Sequence, residues 1–212
     1  MKHKILVTAG NTWSPIDNVR VITNKFSGKT GLSIAYHLAK EGFKVTLILA
    51  DFRTNLKKFK HKNIKIKRAI TYTSFYKVLK KEVKKREYSA IIHAAAISDY
   101  KLKKQFLGKV KSKRNLSLNL QATKKIVDRI KKWDKQIILI KFKLEANIKK
   151  NKLFNVALKS KKKSNAAFVI ANAIPFNKKH TFYIIKTKKR YKKVQGKNKL
   201  AKFIANIFKT EL

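Results

Sequence analysis

The chain has 212 residues, of which 55 are Lys or Arg and 10 are Asp or Glu, giving a formal net charge of +45. This length suits one α/β domain with a sizeable core. The absence of cysteine excludes disulfides and thiolate metal sites. Since no apolar run approaches the roughly 20 residues that span a bilayer and the first residues lack the pattern of a signal peptide, we expect a cytoplasmic protein without a membrane partner.

The positive charge first suggests nucleic-acid binding. However, 48 of the basic residues are lysines and 7 are arginines, and they are spread along the whole chain. Arginine is the residue that suits base edges and bidentate phosphate contacts. Lys, Asn, Ile, Phe and Tyr, which all have AT-rich codons, make up half of the chain. We therefore attribute the charge to codon bias and expect only non-specific attraction to nucleic acid.

In chain order, the hydrophobic pattern predicts strands that alternate with helices. Strands are predicted at 4–10, 44–50, 64–69, 90–96, 136–142 and 166–172, with a hairpin at 180–187 and 190–195. Helices are predicted at 31–42, 74–88, 123–133, 152–162 and 198–208. The basic segment 101–115 has no clear period and is expected to be a mobile loop. This order predicts an α/β fold: a Rossmann-like, mostly parallel sheet with helices on both faces, a C-terminal hairpin and helix, and a single domain over 1–212.

A long connection, residues 11–30, follows the first predicted strand and ends in the sequence SGKT. Connections of this kind usually have two to six residues, and longer ones are usually functional. A P-loop needs a glycine five residues before Gly28, directly after a strand, but Thr23 stands there. We therefore predict an anion site at a helix N-terminus rather than a P-loop. The alternative is a plain N-cap by Ser27 or Thr30.

Small residues and one carboxylate follow the fourth predicted strand. Ala94–Ala96 allow a ligand to approach the backbone, and Asp99 either holds a ribose hydroxyl, a base amino group or a metal, or simply caps a turn. His93 lies inside the strand, and we interpret it as a core histidine. The chain has no metal-ligand spacing, no nucleophile elbow and no three-glycine dinucleotide fingerprint. The remaining amides, Arg20, Asn24, Asp99 and lysines suit anionic substrates and phosphorus chemistry without a carboxylate base.

At these motifs the sequence resembles the phosphopantothenate–cysteine ligase family of coenzyme A biosynthesis, in its stand-alone form. The motifs are TAGNTWSPIDNVRVITNKFSGKTG, AAAISDY, IKFKL and FVIAN, in that order. The resemblance implies that 4′-phosphopantothenate is joined to L-cysteine in two steps. The substrate carboxylate attacks the α-phosphate of CTP, or of ATP, and releases pyrophosphate; the amine of cysteine then displaces the nucleotide monophosphate. A divalent cation, normally Mg²⁺, and a homodimer are also implied, and CTP is expected because the chain looks more like bacterial members.

The resemblance further implies the site residues. Asn24 is expected to hold the acyl-nucleotide, Arg20 to serve in the same motif, and Lys109 to act in the second step from a flap. The residues expected to contact the nucleotide are Ala95, Ala96, Asp99, Lys109, Phe142, Lys159 and Lys163. The residues expected in the substrate loop are Gly10, Thr12, Ser27, Gly28 and Lys29. No metal ligand is assigned.

Some positions depart from the family's pattern. Lys141 stands where many members have glycine, Ala167 and Ala173 stand where they have aspartate, and Thr123-Lys124 stands where many bacterial members have Asn-Pro. These differences concern triphosphate and base binding. They leave a second hypothesis open, a catalytically decayed, polyanion-binding protein on the same fold. A third, a nicotinamide-dependent reductase, is disfavoured because the glycine fingerprint and a suitably placed Tyr-x-x-x-Lys pair are missing.

Overall fold

A computed structural model describes residues 3–50, 55–112, 115–174 and 180–211. The strands are β1 (Lys4–Ala9), β2 (Trp13–Pro15), β3 (Val21–Thr23), β4 (Lys44–Leu49), β5 (Ile64–Arg68), β6 (Ala90–His93), β7 (Tyr100–Leu102), β8 (Leu120–Ala122), β9 (Ile138–Ala146), β10 (Phe168–Ile174), β11 (Thr181–Ile185) and β12 (Tyr191–Gln195). The α-helices are α1 (Lys29–Lys40), α2 (Tyr72–Val83), α3 (Ile130–Trp133), α4 (Lys150–Ser164) and α5 (Lys197–Glu211).

The main sheet has the strand order β12-β11-β10-β9-β6-β1-β4-β5. The strands from β10 to β5 run parallel, and β11 and β12 form the antiparallel hairpin. The chain moves from β1 to β4 on one side and later returns to β6 on the other side. This reversal creates a crevice at the carboxyl ends of β1 and β6, where open α/β sheets bind ligands.

Alternating side chains of the central strands pack against helices on opposite faces of the sheet. Ile5 and Val7 of β1 belong to a core cluster that also contains buried residues of α1 and α5. Leu6, between them, belongs to a second cluster with Phe75 and Leu79 of α2. A smaller cluster buries α4 against β10 and β11. The predicted Rossmann-like sheet, with helices on both faces and a C-terminal hairpin and helix, is confirmed.

Several predicted boundaries are wrong for local reasons. Strand β6 ends at His93 instead of residue 96, because the Ala95 N–H donates to the hydroxyl of Thr8 and the chain turns away from the sheet. The predicted helix 123–133 begins late, since the N–H and hydroxyl of Thr123 donate to carbonyls of the loop after β6. A 3₁₀ turn over Ile126–Arg129 then precedes α3.

Two small hairpins lie where the sequence predicted loops. The connection after β1 contains the antiparallel pair β2–β3. The segment 101–115, expected to be mobile, begins inside β7, which pairs with β8, so that prediction is wrong at residues 101 and 102. Each of these strands has three residues, which is too short for a period to be recognised. Residues 113 and 114 of the segment lie outside the described ones.

Candidate active site

The loops after β1 and β6 are joined at the carboxyl edge of the sheet. The N–H of Ala96 donates to the carbonyl of Gly10 at 2.9 Å, and the N–H of Thr12 donates to the carbonyl of Ala96 at 3.2 Å. Both loops therefore form one floor at the crevice, and this floor contains the predicted site residues Gly10, Thr12, Ala95 and Ala96.

Helix α1 begins directly above this floor. Its N-cap is Gly28, with φ of 67°, and no side chain caps the helix. A Cβ on Gly28 would lie 2.6 Å from the Gly10 nitrogen, so only glycine fits this close approach. The alternative of a plain N-cap by Ser27 or Thr30 is therefore wrong, because the N-cap residue is Gly28. A helix N-terminus at a cavity favours an anion, so the anion site stays a prediction.

A cavity of about 440 Å³ lies between the floor and the start of α1. This volume falls in the usual range of small-molecule sites. The predicted residues that line it are Gly10, Ser27, Gly28, Lys29, Ala95, Ala96 and Phe142. The residues on its wall that the sequence analysis missed include Asn11, Asn172, His180, Phe182 and Lys197. Since Lys197 is the first residue of α5, a second helix N-terminus contributes to the wall.

Asn11 organises the loop that covers the cavity. Its side chain is 1% exposed, and its Nδ2 donates to the carbonyls of Phe26 and, at 3.0 Å, of Asn24. Within the described parts of the chain, its Oδ1 is a buried acceptor without a donor. An unsatisfied buried acceptor costs about 1–3 kcal/mol, and such groups in native structures call for an explanation. A polar residue directly after Gly10 was the available sequence signal.

Asn24 and Thr12, two predicted residues of this loop, have different surroundings. Asn24 is half-buried, and its Nδ2 makes a long 3.4 Å hydrogen bond to the carbonyl of Ala96 on the floor. Thr12 is fully buried and exchanges hydrogen bonds with Ser98, so it fixes the floor from below. Asn24 is thus not among the residues that line the cavity, although its amide contacts the Ala96 carbonyl of the floor, and Thr12 lies behind the floor.

A smaller cavity of about 140 Å³, here called the lysine pocket, shares Ala95 and Phe142 with the main cavity. Asp99, Lys125 and Lys141 line it, together with His93. Asp99 and Lys125 form an exposed ion pair at this pocket. The predicted nucleotide residues Asp99 and Phe142 are thus brought together, on the side of the sheet that faces α3.

His93 and Lys141 are neighbours across β6 and β9. Burial lowers the pKa of His93 to about 4, so the ring is neutral at pH 7, and its Nδ1 lies 3.1 Å from the Thr8 hydroxyl. The interpretation of His93 as a core histidine is confirmed. Burial also lowers the pKa of the Lys141 ammonium, to about 8, so most of it stays charged at pH 7.

Residues 103–112, after β7, are here called the flap. Lys109 in the flap is exposed, whereas its neighbour Val110 is fixed by hydrogen bonds. Asp17 is buried and accepts from the N–H of Val110 at 3.0 Å and from the guanidinium of Arg20 at 2.7 Å. The same guanidinium donates to the Val110 carbonyl at 3.0 Å. The N–H groups of Val110, Val19 and Arg20 and the Arg20 guanidinium hold the pKa of Asp17 well below its usual range. Arg20 therefore anchors the flap.

The two lysines predicted on α4 lie at the surface. Lys159 is exposed. Lys163 forms an ion pair of 3.2 Å with Asp128, which also lies 3.9 Å from the ammonium of Lys141. Lys163 is thus linked to the lysine pocket through Asp128.

Within the described ranges, no group of three or more His, Cys, Asp or Glu side chains forms a metal site. Nor do the helices of those ranges include one with the length and hydropathy to cross a membrane.

The fold and the cavity define a Rossmann-like α/β protein with a ligand-sized site at the switch point of its sheet. The profile of the DNA/pantothenate metabolism flavoprotein C-terminal domain family matches residues 1–210. The chain belongs to this family.

Named relatives agree with this assignment. The coenzyme A biosynthesis bifunctional proteins CoaBC of Methanocaldococcus jannaschii and Thermococcus kodakarensis are 34% and 33% identical over 93% and 81% of this chain. The chain spans 48% and 41% of the length of these two proteins.

Solved structures of this type have the same fold. The DNA/pantothenate metabolism flavoprotein from Streptococcus pneumoniae superposes with a TM-score of 0.87 at 28% identity, covering 99% of this chain and 100% of that one. A Cab2 mutant in complex with phosphopantothenate-cysteine superposes with a TM-score of 0.77, covering 99% of this chain and 86% of that one. At 18% identity, that likeness shows the fold alone.

Proposed function

We propose that this chain is a phosphopantothenate–cysteine ligase, which joins 4′-phosphopantothenate and L-cysteine through an acyl-nucleotide. The observation that carries the proposal is the main cavity, where family motifs from the loops after β1 and β6 meet at the N-terminus of α1. The family match over residues 1–210 and the coenzyme A biosynthesis names of the relatives support it.

In the first step, a carboxylate oxygen of phosphopantothenate attacks the α-phosphorus of the nucleotide, and the bond to the leaving pyrophosphate breaks. The uncapped N–H groups of α1, with Lys29 and Lys197, supply positive potential for these anions. In this proposal the amide of Asn24, whose hydrogen bond to the Ala96 carbonyl is 3.4 Å long, turns to donate to the acyl oxygen. In the second step, the cysteine amine attacks the acyl carbon, the nucleotide monophosphate leaves, and the amine loses a proton.

Lys109 acts in the second step in this proposal, from the flap that Asp17 and Arg20 hold. A closed flap excludes water, which would otherwise hydrolyse the acyl-phosphate anhydride. Arg20 was predicted to be catalytic. In this proposal it acts indirectly, by holding the flap in position through its hydrogen bonds to Asp17 and to the Val110 carbonyl.

CTP is the proposed nucleotide, with ATP as the alternative. Mg²⁺ is proposed as the divalent cation. The described residues offer a single carboxylate at the lysine pocket, Asp99, which suits an ion that arrives bound to nucleotide phosphates and not one held by a protein cage. When bound, such an ion would neutralise phosphate charge on the nucleotide.

A homodimer is also proposed. Exposed large apolar side chains concentrate on the flap and the hairpins beside it: Val19, Tyr100, Phe106, Leu107, Leu116 and Leu120. Leu107 is 97% exposed. Exposed apolar surface is typical of interaction sites, and a second copy of the chain is the partner that the family resemblance implies. The cytoplasmic location stays a prediction.

The deciding experiment is a two-part assay of the purified chain. Phosphopantothenate, Mg²⁺ and either CTP or ATP are incubated without cysteine to measure pyrophosphate release, and then with cysteine to measure the amide product by mass spectrometry. We expect both products, with faster turnover on CTP. Faster turnover on ATP reverses the nucleotide assignment, and no release with either nucleotide rejects the ligase.

A further inference from the structure

Lys141 is a buried cation with incomplete compensation. The residue is 4% exposed, although lysine is rarely buried unless it is paired. Its carboxylate partner, Asp128, lies at 3.9 Å and is also engaged by Lys163 at 3.2 Å. Within the described parts of the chain, its Nζ makes one hydrogen bond, to the carbonyl of Ser160 at 3.2 Å. An ammonium has three donors, so this group retains the capacity to bind an anion.

The surroundings of Lys141 raise that capacity further. The charged and titratable groups that face it or line the same pocket are Asp99, Asp128, Lys124, Lys125, Lys143, Lys163 and His93. Four of these are cations, two are carboxylates, and His93 is neutral at pH 7. A negative ligand group in the lysine pocket would therefore relieve repulsion as well as pair with a desolvated charge.

The lysine pocket adjoins the main cavity. Its volume of about 140 Å³ is below the range of a complete ligand site, and it shares Ala95 and Phe142 with the cavity of about 440 Å³. A ligand in the main cavity that extended past these two residues would occupy both spaces. When the α-phosphorus is attacked, negative charge develops on the leaving diphosphate, and a buried cation stabilises that charge most.

We propose that Lys141 binds the β,γ-diphosphate of the nucleotide in the lysine pocket and stabilises it as it leaves. The inference rests on the proposed ligase function and adds to it a residue for the leaving group.

The test compares binding of CTP, CMP and inorganic pyrophosphate by calorimetry in the wild type, Lys141→Met and Lys192→Met. Lys192 is an exposed lysine of the edge strand β12 and lines neither cavity, so its substitution removes the same charge away from the pocket. Methionine preserves length and apolar character, and we expect Lys141→Met to melt no lower than the wild type. A charge-assisted hydrogen bond accounts for about tenfold in affinity or more.

We expect Lys141→Met to weaken the binding of CTP and of pyrophosphate at least about tenfold and to weaken the binding of CMP much less. It should also lower the rate of pyrophosphate release. Lys192→Met should match the wild type. At pH 9 the difference in CTP affinity between the wild type and Lys141→Met should largely disappear. Burial lowers the pKa of the Lys141 ammonium to about 8, so at pH 9 this group is largely neutral. Equal losses for CTP and CMP, or wild-type affinities in Lys141→Met, overturn the inference. If the protein binds pyrophosphate tightly but shows no ligase turnover, the proposed ligase function is rejected, whereas the anion site at Lys141 is supported.

Discussion

At the scale of single residues, the amide of Asn24 is the group through which the loop after β1 would take part in catalysis. It lies against the carbonyl of Ala96 at 3.4 Å, and its own carbonyl is fixed by Asn11. The backbone is therefore held while the side chain remains able to turn towards a substrate. An aspartate in its place keeps the shape but cannot donate to an acyl oxygen.

We predict that Asn24→Asp folds normally and loses about a hundredfold in turnover, because removing one such donor typically costs about 3 kcal/mol of transition-state stabilisation. Asn18→Asp, the same change at an exposed position of the same loop, is the control. Melting curves and steady-state rates of both variants are the measurement. Near-normal turnover in Asn24→Asp removes this amide from the mechanism.

The residues of the site differ in how far sequence could reveal them. Gly28 and Asn24 lie in a long contiguous motif, so the resemblance found them. Lys141 was noticed as a departure, but its burial and its long ion pair with Asp128 depend on how β9 packs against α4. Asn172 and Lys197 are more than a hundred residues from the first motif, and only the strand order brings them to the same cavity.

At the scale of elements, buried strands and amphipathic helices were predictable because each carries a period over several residues. The short hairpins β2–β3 and β7–β8 were not, since three residues carry no period and their pairing depends on distant parts of the chain. The flap was recognised as a segment, but its attachment was not. The carboxylate that holds it, Asp17, is far from the flap in sequence and meets it through the backbone of Val110.

Asp17→Asn should therefore release the flap. The substitution removes the charge that accepts from Val110 and Arg20, so we expect a melting temperature lower by a few degrees. It should also reduce amide formation more than pyrophosphate release, because the flap lysine acts in the second step. Asp134→Asn, which changes another buried aspartate that accepts from loop N–H groups, should lower stability without changing the ratio of the two half-reactions. An unchanged ratio in Asp17→Asn contradicts the role of the anchor.

The same variant has a defined pH dependence. The folded pKa of Asp17 is depressed, so the stability it contributes is fully present above its unfolded pKa of about 4 and is lost as the pH falls through the folded value. The difference in melting temperature between wild type and Asp17→Asn should be constant from pH 5 to 7 and shrink below about pH 4. A difference that shrinks between pH 6 and 7 points to another group.

At the scale of the whole molecule, the net charge of +45 acts against association. A homodimer carries a formal charge of +90, twice that of one chain. Most lysines are exposed, and three ion pairs among the described residues join two exposed side chains and so contribute little each. Long-range repulsion is screened beyond about 8 Å at physiological ionic strength, so added salt weakens it.

We therefore predict that the dimer fraction and the melting temperature both rise with ionic strength, and that binding to DNA is insensitive to sequence and falls steeply with salt. Sedimentation and thermal melts across a salt series, with binding to two unrelated DNA sequences, measure this.

Leu107→Lys should lower the dimer fraction at every salt concentration, whereas Lys188→Ala, which removes a charge beyond β11, should not. A dimer that dissociates as salt is added means that attraction between charges holds it. Tight binding to one DNA sequence that persists at high salt favours a nucleic-acid-binding protein, since contacts to base edges, unlike those to phosphates, release few counterions.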